Sequence, residues 1–335
     1  MNRVGPRNAI TDVPGIRVGN AGNTDVRSGV TVIVPDMPVV AAVDARGGGT
    51  GSREFEILDP AATVQECHAI VLSGGSAYGL DAAGGVMAWL KAHGRGFAIG
   101  TTTVPIVPAA ILFDLLNGGD KDWGDAPPYR DLGYAAAADA ADDFALGNAG
   151  AGLGATAGPL KGGLGSASVV HENGVTVGAL AAVNCLGSVL MPDSPTFWAW
   201  PFERDGELGH QAPPAADLPR DAEYDFQVPA GARTTLAAVA TDAALTKAEA
   251  KRVAIMAQDG LARAIRPVHT PLDGDTLFVL STGARPLGDP LVDISRIGML
   301  AADCVARAIA RGVYQADGLG DHPGYRDRYG DARAS

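Results

Sequence analysis

The sequence predicts an α/β fold built from closely packed layers, and three observations carry that prediction. Short β-branched runs closed by glycine turns fill the first hundred residues and lead into a helical stretch. The last hundred residues read strand, helix, strand, helix with sharp periodicity. The composition is 47% hydrophobic and 19% charged, with 45 glycines and only 6% aromatic residues. That supplies apolar material for a large core, and small residues let neighbouring backbones approach closely. A chain of 335 residues allows two domains, but α/β chains of this size also form one, and a single domain spanning 1–335 is expected.

Taken in order, Val30–Val34 and Val39–Val43 read as short strands, the first ending at Pro35 and the second running into the turn-rich segment 46–51. Ala69–Leu72 is a third, ending in Ser73-Gly74-Gly75. A helix is expected over Ala77–His93, closed by Gly94, and another over Leu132–Phe144. Residues 147–165 are dense in glycine and hold one lysine, Lys161. Val169-Val170 and Val175–Val183 flank the turn His171-Glu172-Asn173-Gly174 and read as a hairpin. Pro192–Pro229, rich in Pro, Asp and Glu and without periodicity, reads as a long surface loop. Thr234–Thr241 then reads as a strand. Thr246-Lys247-Ala248-Glu249 is a capping box that opens a helix running through Ala264. Leu277–Ser281 is the next strand, and Asp293–Arg311 a second helix, with Ile294, Ile297, Ala301, Ala308 and Ile309 on one side.

Composition also excludes function classes. The net charge of −12 offers no electrostatic footprint for DNA, RNA or anionic lipid, so neither nucleic acid nor membrane is an expected partner. The N-terminal residues lack the apolar core of a signal peptide, and no apolar run approaches the roughly 20 residues that span a bilayer. A cytoplasmic protein is expected. Three widely separated cysteines, Cys67, Cys185 and Cys304, suit buried free thiols better than disulfides or a metal site. The six histidines lack zinc-ligand spacing, the glycine loops lack a phosphate-loop ending, and no cofactor is expected. Ser76 does not sit in a nucleophile elbow, because Tyr78 takes the place of its last glycine.

The chemistry concentrates at Thr234-Thr235. A threonine hydroxyl needs a base to become a nucleophile. If the peptide bond between Arg233 and Thr234 is cut, the new α-amine lies beside the hydroxyl of its own residue, and its unperturbed pKa of about 7.7–8.0 leaves it partly neutral at working pH. Such an arrangement requires a hydroxyl or thiol residue at the start of a supported strand. Two further aspartates, Asp273 and Asp275, flank Gly274 just before the second strand, where an ordinary Asp-Gly turn is the alternative reading.

From residue 8 to about 310 the chain resembles the self-processing, DmpA-type aminopeptidase family, which includes L-aminopeptidase/D-esterase and the β-peptidyl aminopeptidases. It is also similar to that family's 6-aminohexanoate (nylon) oligomer hydrolase branch. The resemblance lies in Asn8-Ala9-Ile10-Thr11-Asp12-Val13-Pro14-Gly15, Ser73-Gly74-Gly75-Ser76-Ala77-Tyr78-Gly79-Leu80, Gly150-Ala151-Gly152, Val183-Asn184, Thr234–Asp242 and Asp273-Gly274-Asp275-Thr276. It implies an N-terminal-nucleophile-hydrolase-like α-β-β-α sandwich, as in the ornithine acetyltransferases. It further implies self-cleavage into an α-subunit, 1–233, and a β-subunit, 234–335. Thr234 would be the nucleophile and Asn184 an oxyanion donor. Tyr78 would line the pocket, Asp273 and Asp275 would orient Thr234 and hold its amine, and Lys161 would support the nucleophile electrostatically. Relatives often carry Asn or Gly before the nucleophile, where this chain has Arg233. The implied substrates are short peptides, amino-acid amides, β-peptides or ω-amino-acid oligomers, and the implied assembly is a homotetramer of cleaved protomers. The alternatives are a nylon-type oligomer hydrolase, an acyl transferase that passes the acyl group to an amine, and an unprocessed ligand-binding or assembly relative.

Overall fold

The structure is a computed structural model and describes residues 2–214 and 233–330. In chain order the strands are β1 (Ile16–Asn23), β2 (Ser28–Pro35), β3 (Val39–Ala45), β4 (Gly51–Arg53), β5 (Glu66–Cys67), β6 (Ile70–Ser73), β7 (Phe97–Ile99), β8 (Thr102–Val104), β9 (Ala109–Ile111), β10 (Thr156–Ala157), β11 (Leu160–Lys161), β12 (Gly163–Val170), β13 (Thr176–Asn184), β14 (Thr234–Ala243) and β15 (Thr276–Arg285). The helices are α1 (Ala82–Ala92), α2 (Tyr129–Ala138), α3 (Lys247–Ala257), α4 (Asp259–Ala264), α5 (Pro290–Tyr314) and α6 (Tyr325–Tyr329).

Two mixed sheets form the centre. One runs β1-β2-β6-β9-β4 and the other β12-β13-β14-β15-β3-β5, with small hairpins β7-β8 and β10-β11 beside them. Period-2 alternation sorts the side chains of β14 between two cores. Leu236, Ala238 and Ala240 face the other sheet, where they meet Ile33, Ile70 and Leu72. Ala237, Val239 and Ala243 face the opposite way, toward Val253, Leu261, Ile297 and Val305 of α3, α4 and α5. A third core seals α1 and α2 onto the outer face of the first sheet through Val30, Val32, Val86 and Ala136. The order of layers is therefore α-β-β-α. Among the described residues no helix is long and apolar enough to cross a membrane.

Several elements match the sequence reading closely. The capping box is present: Glu249 N–H donates to Thr246 Oγ1 at 3.3 Å, and Thr246 N–H donates to Glu249 Oε2 at 2.8 Å. The hairpin over residues 163–184 and the final strand-helix-strand-helix order also stand. The differences have physical reasons. Residues 76–81 form a 3-10 helix ahead of α1, because Gly75 enters with φ +83 and its N–H is spent on Asp114. The helix after Thr246 divides at Gln258, which is buried and sends its side-chain amide to Asp44 O at 2.7 Å. The helix read over Asp293–Arg311 begins earlier, at Pro290, where Asp289 accepts from Leu291 and Val292 N–H, and a short helix α6 follows it.

The expected surface loop 192–229 needs correction over its described part, since residues 215–229 lie outside the described residues. Phe197, Ala199 and Leu208 are buried in the helix-side core. Glu203 collects the N–H groups of Leu208, His210 and Gln211. The segment is a packed strap, held by long-range partners that leave no local period.

Candidate active site

Central strand β14 lies between antiparallel β13 and parallel β15, and its first residue is Thr234. Across the ladder Thr234 stands directly opposite Asn184, the last residue of β13. Arg233, one residue ahead, bridges Asp273. The topology alone thus gathers Thr234, Asn184 and the Asp273-Gly274-Asp275 turn at one end of the sheet.

In this continuous chain Thr234 is 1% exposed. Its Oγ1 donates to the carbonyl oxygen of its own predecessor, Arg233, at 2.5 Å. The Gly274 N–H lies 3.0 Å from that same carbonyl oxygen and 3.1 Å from Thr234 Oγ1. A Cβ on Gly274 would fall 2.6 Å from Thr234 Oγ1, so only glycine leaves room for the amide to point there.

Each flanking carboxylate is itself held. Asp273 accepts from the Thr270 hydroxyl at 2.6 Å and from Leu186 N–H at 3.3 Å. Burial, and then the neighbouring Asp275 carboxylate, push the Asp273 carboxyl above the usual range. Asp275 accepts from Thr235 N–H at 2.8 Å and meets His269 Nδ1 at 2.9 Å. His269 is thus a direct partner of the site. Its spacing from Asp275 was the available signal. Among the described residues neither carboxylate hydrogen-bonds Thr234; they act on the residues around it.

Asn184 is fixed by both ends of its amide. Its Oδ1 accepts from Thr156 N–H at 2.9 Å, and its Nδ2 donates to Phe113 O at 2.9 Å. Thr156 pairs with Lys161 in the β10-β11 hairpin and also accepts from the Arg233 guanidinium. Lys161 is buried and donates to the carbonyl oxygens of Gly152 and Gly162, each at 2.8 Å. Tyr78 stands apart from this cluster. It is 54% exposed, and its ring lies edge-on to Trp123 with centroids 5.6 Å apart. Sequence reasoning missed Thr156, Thr270 and Gly274, whose roles come from backbone placement.

Burial lowers the Lys161 ammonium to about 7, opposed by the nearby Asp114 carboxylate. Between that value and the ordinary lysine value of 10.5 the unfolded chain binds more protons than the folded one. Stability therefore rises with pH across this window. From pH 7 to 10 the unfolding free energy of the wild type should gain on that of Lys161→Met by on the order of 3 kcal/mol. Denaturant titrations at stepped pH read this difference, and a constant gap would place Lys161 outside a desolvated site.

Solved proteins share this architecture. A beta-aminopeptidase from a Burkholderia species matches with a TM-score of 0.72 and 26% identity, covering 99% of this chain and 94% of that one. The L-aminopeptidase D-Ala-esterase/amidase from Ochrobactrum anthropi, described as a variant of the Ntn hydrolase fold, matches with a TM-score of 0.71 and 22% identity over 96% and 91%. The fold is thus the variant of the Ntn hydrolase fold seen in that structure. The family model for peptidase family S58 matches residues 8–326, and the chain belongs to that family. An uncharacterised aminopeptidase of Mycobacterium bovis is 46% identical over 98% of this chain and its own full length. A 6-aminohexanoate-oligomer endohydrolase of an Agromyces species is 30% identical over 88% of this chain and 80% of that protein.

Proposed function

We propose that this protein is a self-cleaving aminopeptidase in which Thr234 becomes an N-terminal nucleophile. One observation carries the reading: the Thr234 hydroxyl and the Arg233 carbonyl lie against each other with the Gly274 N–H directed at both. In the first reaction Thr234 Oγ bonds to the Arg233 carbonyl carbon while the Gly274 amide supports the developing oxyanion. The C–N bond then breaks, the amine takes the proton, and water hydrolyses the resulting ester. The products are a chain ending at Arg233 and a chain beginning at Thr234. The freed α-amine then serves as base for the Thr234 hydroxyl, which attacks the carbonyl of a small amide. Asn184, opposite Thr234 on β13, supplies a side-chain donor to that oxyanion.

The substrates in this reading are short peptides, amino-acid amides and β-peptides, in line with the aminopeptidase names of its relatives. Hydrolysis of 6-aminohexanoate oligomers is the second reading, favoured by the buried Lys161 and by the endohydrolase relative. Intact-mass measurement of purified protein should give two fragments meeting at Arg233/Thr234. A panel of L-, D- and β-aminoacyl amides with 6-aminohexanoate oligomers then ranks the substrates. An uncut chain that turns over none of them would leave only the fold. Assembly of the cut protomers into a homotetramer belongs to the same proposal and is read by light scattering.

A further inference from the structure

Strand β3 pairs with β15 as far as Ala45 and Thr276, and there the ladder ends. The chain then crosses to β4 in the other sheet through Arg46-Gly47-Gly48-Gly49-Thr50. On the way it lays four backbone N–H groups against the 270–275 turn. Arg46 N–H donates to Asp275 O at 3.0 Å, and Gly47 N–H to the same oxygen at 3.2 Å. Gly48 N–H donates to Thr270 O at 3.2 Å, and Gly49 N–H to Asp273 O at 2.8 Å. The last of these bears directly on the chemistry. Asp273 C=O and Gly274 N–H are the two ends of one planar trans peptide group and point in opposite directions. Holding that carbonyl from one side therefore aims the amide on the other, where Arg233 O lies at 3.0 Å and Thr234 Oγ1 at 3.1 Å.

The approach is too close for side chains. A Cβ on Gly47 would fall 2.5 Å from Asp273 O, 2.7 Å from Gly274 C and 2.3 Å from Asp275 N. All three are backbone atoms of the turn, so an alanine at residue 47 fits only if the turn moves. A Cβ on Gly48 would meet Pro271 Cα at 2.7 Å, and one on Gly274 would meet Gly49 O at 2.9 Å. Gly51, at the start of β4, differs: a Cβ there would meet only the Ile111 side chain, at 2.5 Å. We propose that the Gly47–Gly49 run is a positioning element of this site: Gly49 N–H fixes the Asp273–Gly274 peptide plane, and the missing side chain of Gly47 lets the run come close enough to do so. The run itself touches no substrate; it acts through Gly274. The inference rests on the proposed function for the use made of the Gly274 amide.

The experiment compares Gly47→Ala with Gly51→Ala in the full-length protein and follows self-cleavage by intact mass, below the unfolding temperature of either variant. Gly47→Ala should slow the cut by about 100-fold, the scale on which losing one oxyanion donor acts, while Gly51→Ala leaves it unchanged. Once cut, the Gly47→Ala protein should lose much less in kcat for aminoacyl amides, because Asn184 serves that second oxyanion. A general loss of packing would instead lower both rates together, in step with the unfolding temperature, and that result overturns the proposal. Hydrogen exchange in the uncut Thr234→Ala protein reads the geometry without turnover. The Gly49 and Gly274 amides should both be protected, and adding Gly47→Ala should speed exchange at Gly274 by about tenfold. Unchanged exchange at Gly274 overturns the proposal, as does a freely exchanging Gly49 amide even if no Gly47 variant folds. A wild-type chain that never cuts itself would defeat the functional reading, and the two amides would still decide whether the run aims Gly274.

Discussion

If Thr234 is the proposed nucleophile, Thr234→Ala should leave the chain a single polypeptide and lower amide hydrolysis by about 10⁴-fold or more, the scale on which removing a nucleophile acts. The substitution deletes the hydroxyl oxygen that the proposed cleavage joins to the Arg233 carbonyl carbon. It leaves the surrounding hydrogen bonds largely intact: Gly274 N–H keeps the Arg233 carbonyl at 3.0 Å, and Thr235 N–H keeps Asp275 at 2.8 Å. The fold should therefore survive at a cost of about 1 kcal/mol for the lost hydroxyl and methyl. Thr234→Ser keeps a hydroxyl and should still yield two fragments. The pair separates nucleophile from packing, because Ser lacks the methyl yet retains the oxygen. Intact mass and turnover are the readouts. A cut or fully active Thr234→Ala protein would remove this residue from the mechanism.

Why these residues could be found in the sequence, while others could not, follows from the range of the forces that place them. Strand β14 announces itself because every residue of Thr234–Ala243 is buried and the run is bounded by a cap signal three residues on. The Asp273-Gly274-Asp275 turn is compact in sequence, so its pair of carboxylates is visible, although the amide between them gives no signal of its own. Asp114 gives no local signal, since its partners Ser28 and Gly75 are brought to it by sheet packing, and Tyr129 reaches it only through Ser28. The same holds for the strap 192–214, whose anchors Phe197 and Leu208 join a core shared with α5 and α6, Phe197 stacking near Tyr325. One clue was available there. Arg307 and Arg311 stand four apart on α5, on a side otherwise supplied by Leu300, Cys304 and Ala308, and cations on a buried face require an acid from elsewhere.

That acid is Glu207, and replacing it should have the largest effect on stability of any single change outside the site. Arg307 Nε meets Glu207 Oε1 at 2.5 Å and its Nη2 meets Oε2 at 2.9 Å, a two-pronged pair in which the side chains are 1% and 5% exposed. Arg311 adds a second cation at 3.6 Å, and Asn8 donates to Oε2 at 2.6 Å. Glu207→Gln keeps the shape but strands two guanidinium groups without a counter-charge, which costs about 3–5 kcal/mol. Burial alone would raise the Glu207 carboxyl; the Arg307 hydrogen bond and charge outweigh it and hold the group below its usual value. A depressed carboxylate stabilises fully above its unfolded value of about 4.3 and loses that contribution as pH falls through the folded value. The gap between wild type and Glu207→Gln in denaturant unfolding should accordingly be full at pH 6 and close toward pH 3. Glu207 belongs to the proposed large fragment and both arginines to the small one. Once the chain is cut, this cluster becomes a buried contact between two separate polypeptides, and the same substitution should let the fragments part at dilutions where the wild-type pair stays together in sedimentation. Equal stability of the two proteins at pH 6 would mean that packing of Phe197 and Leu208, rather than charge, retains the strap.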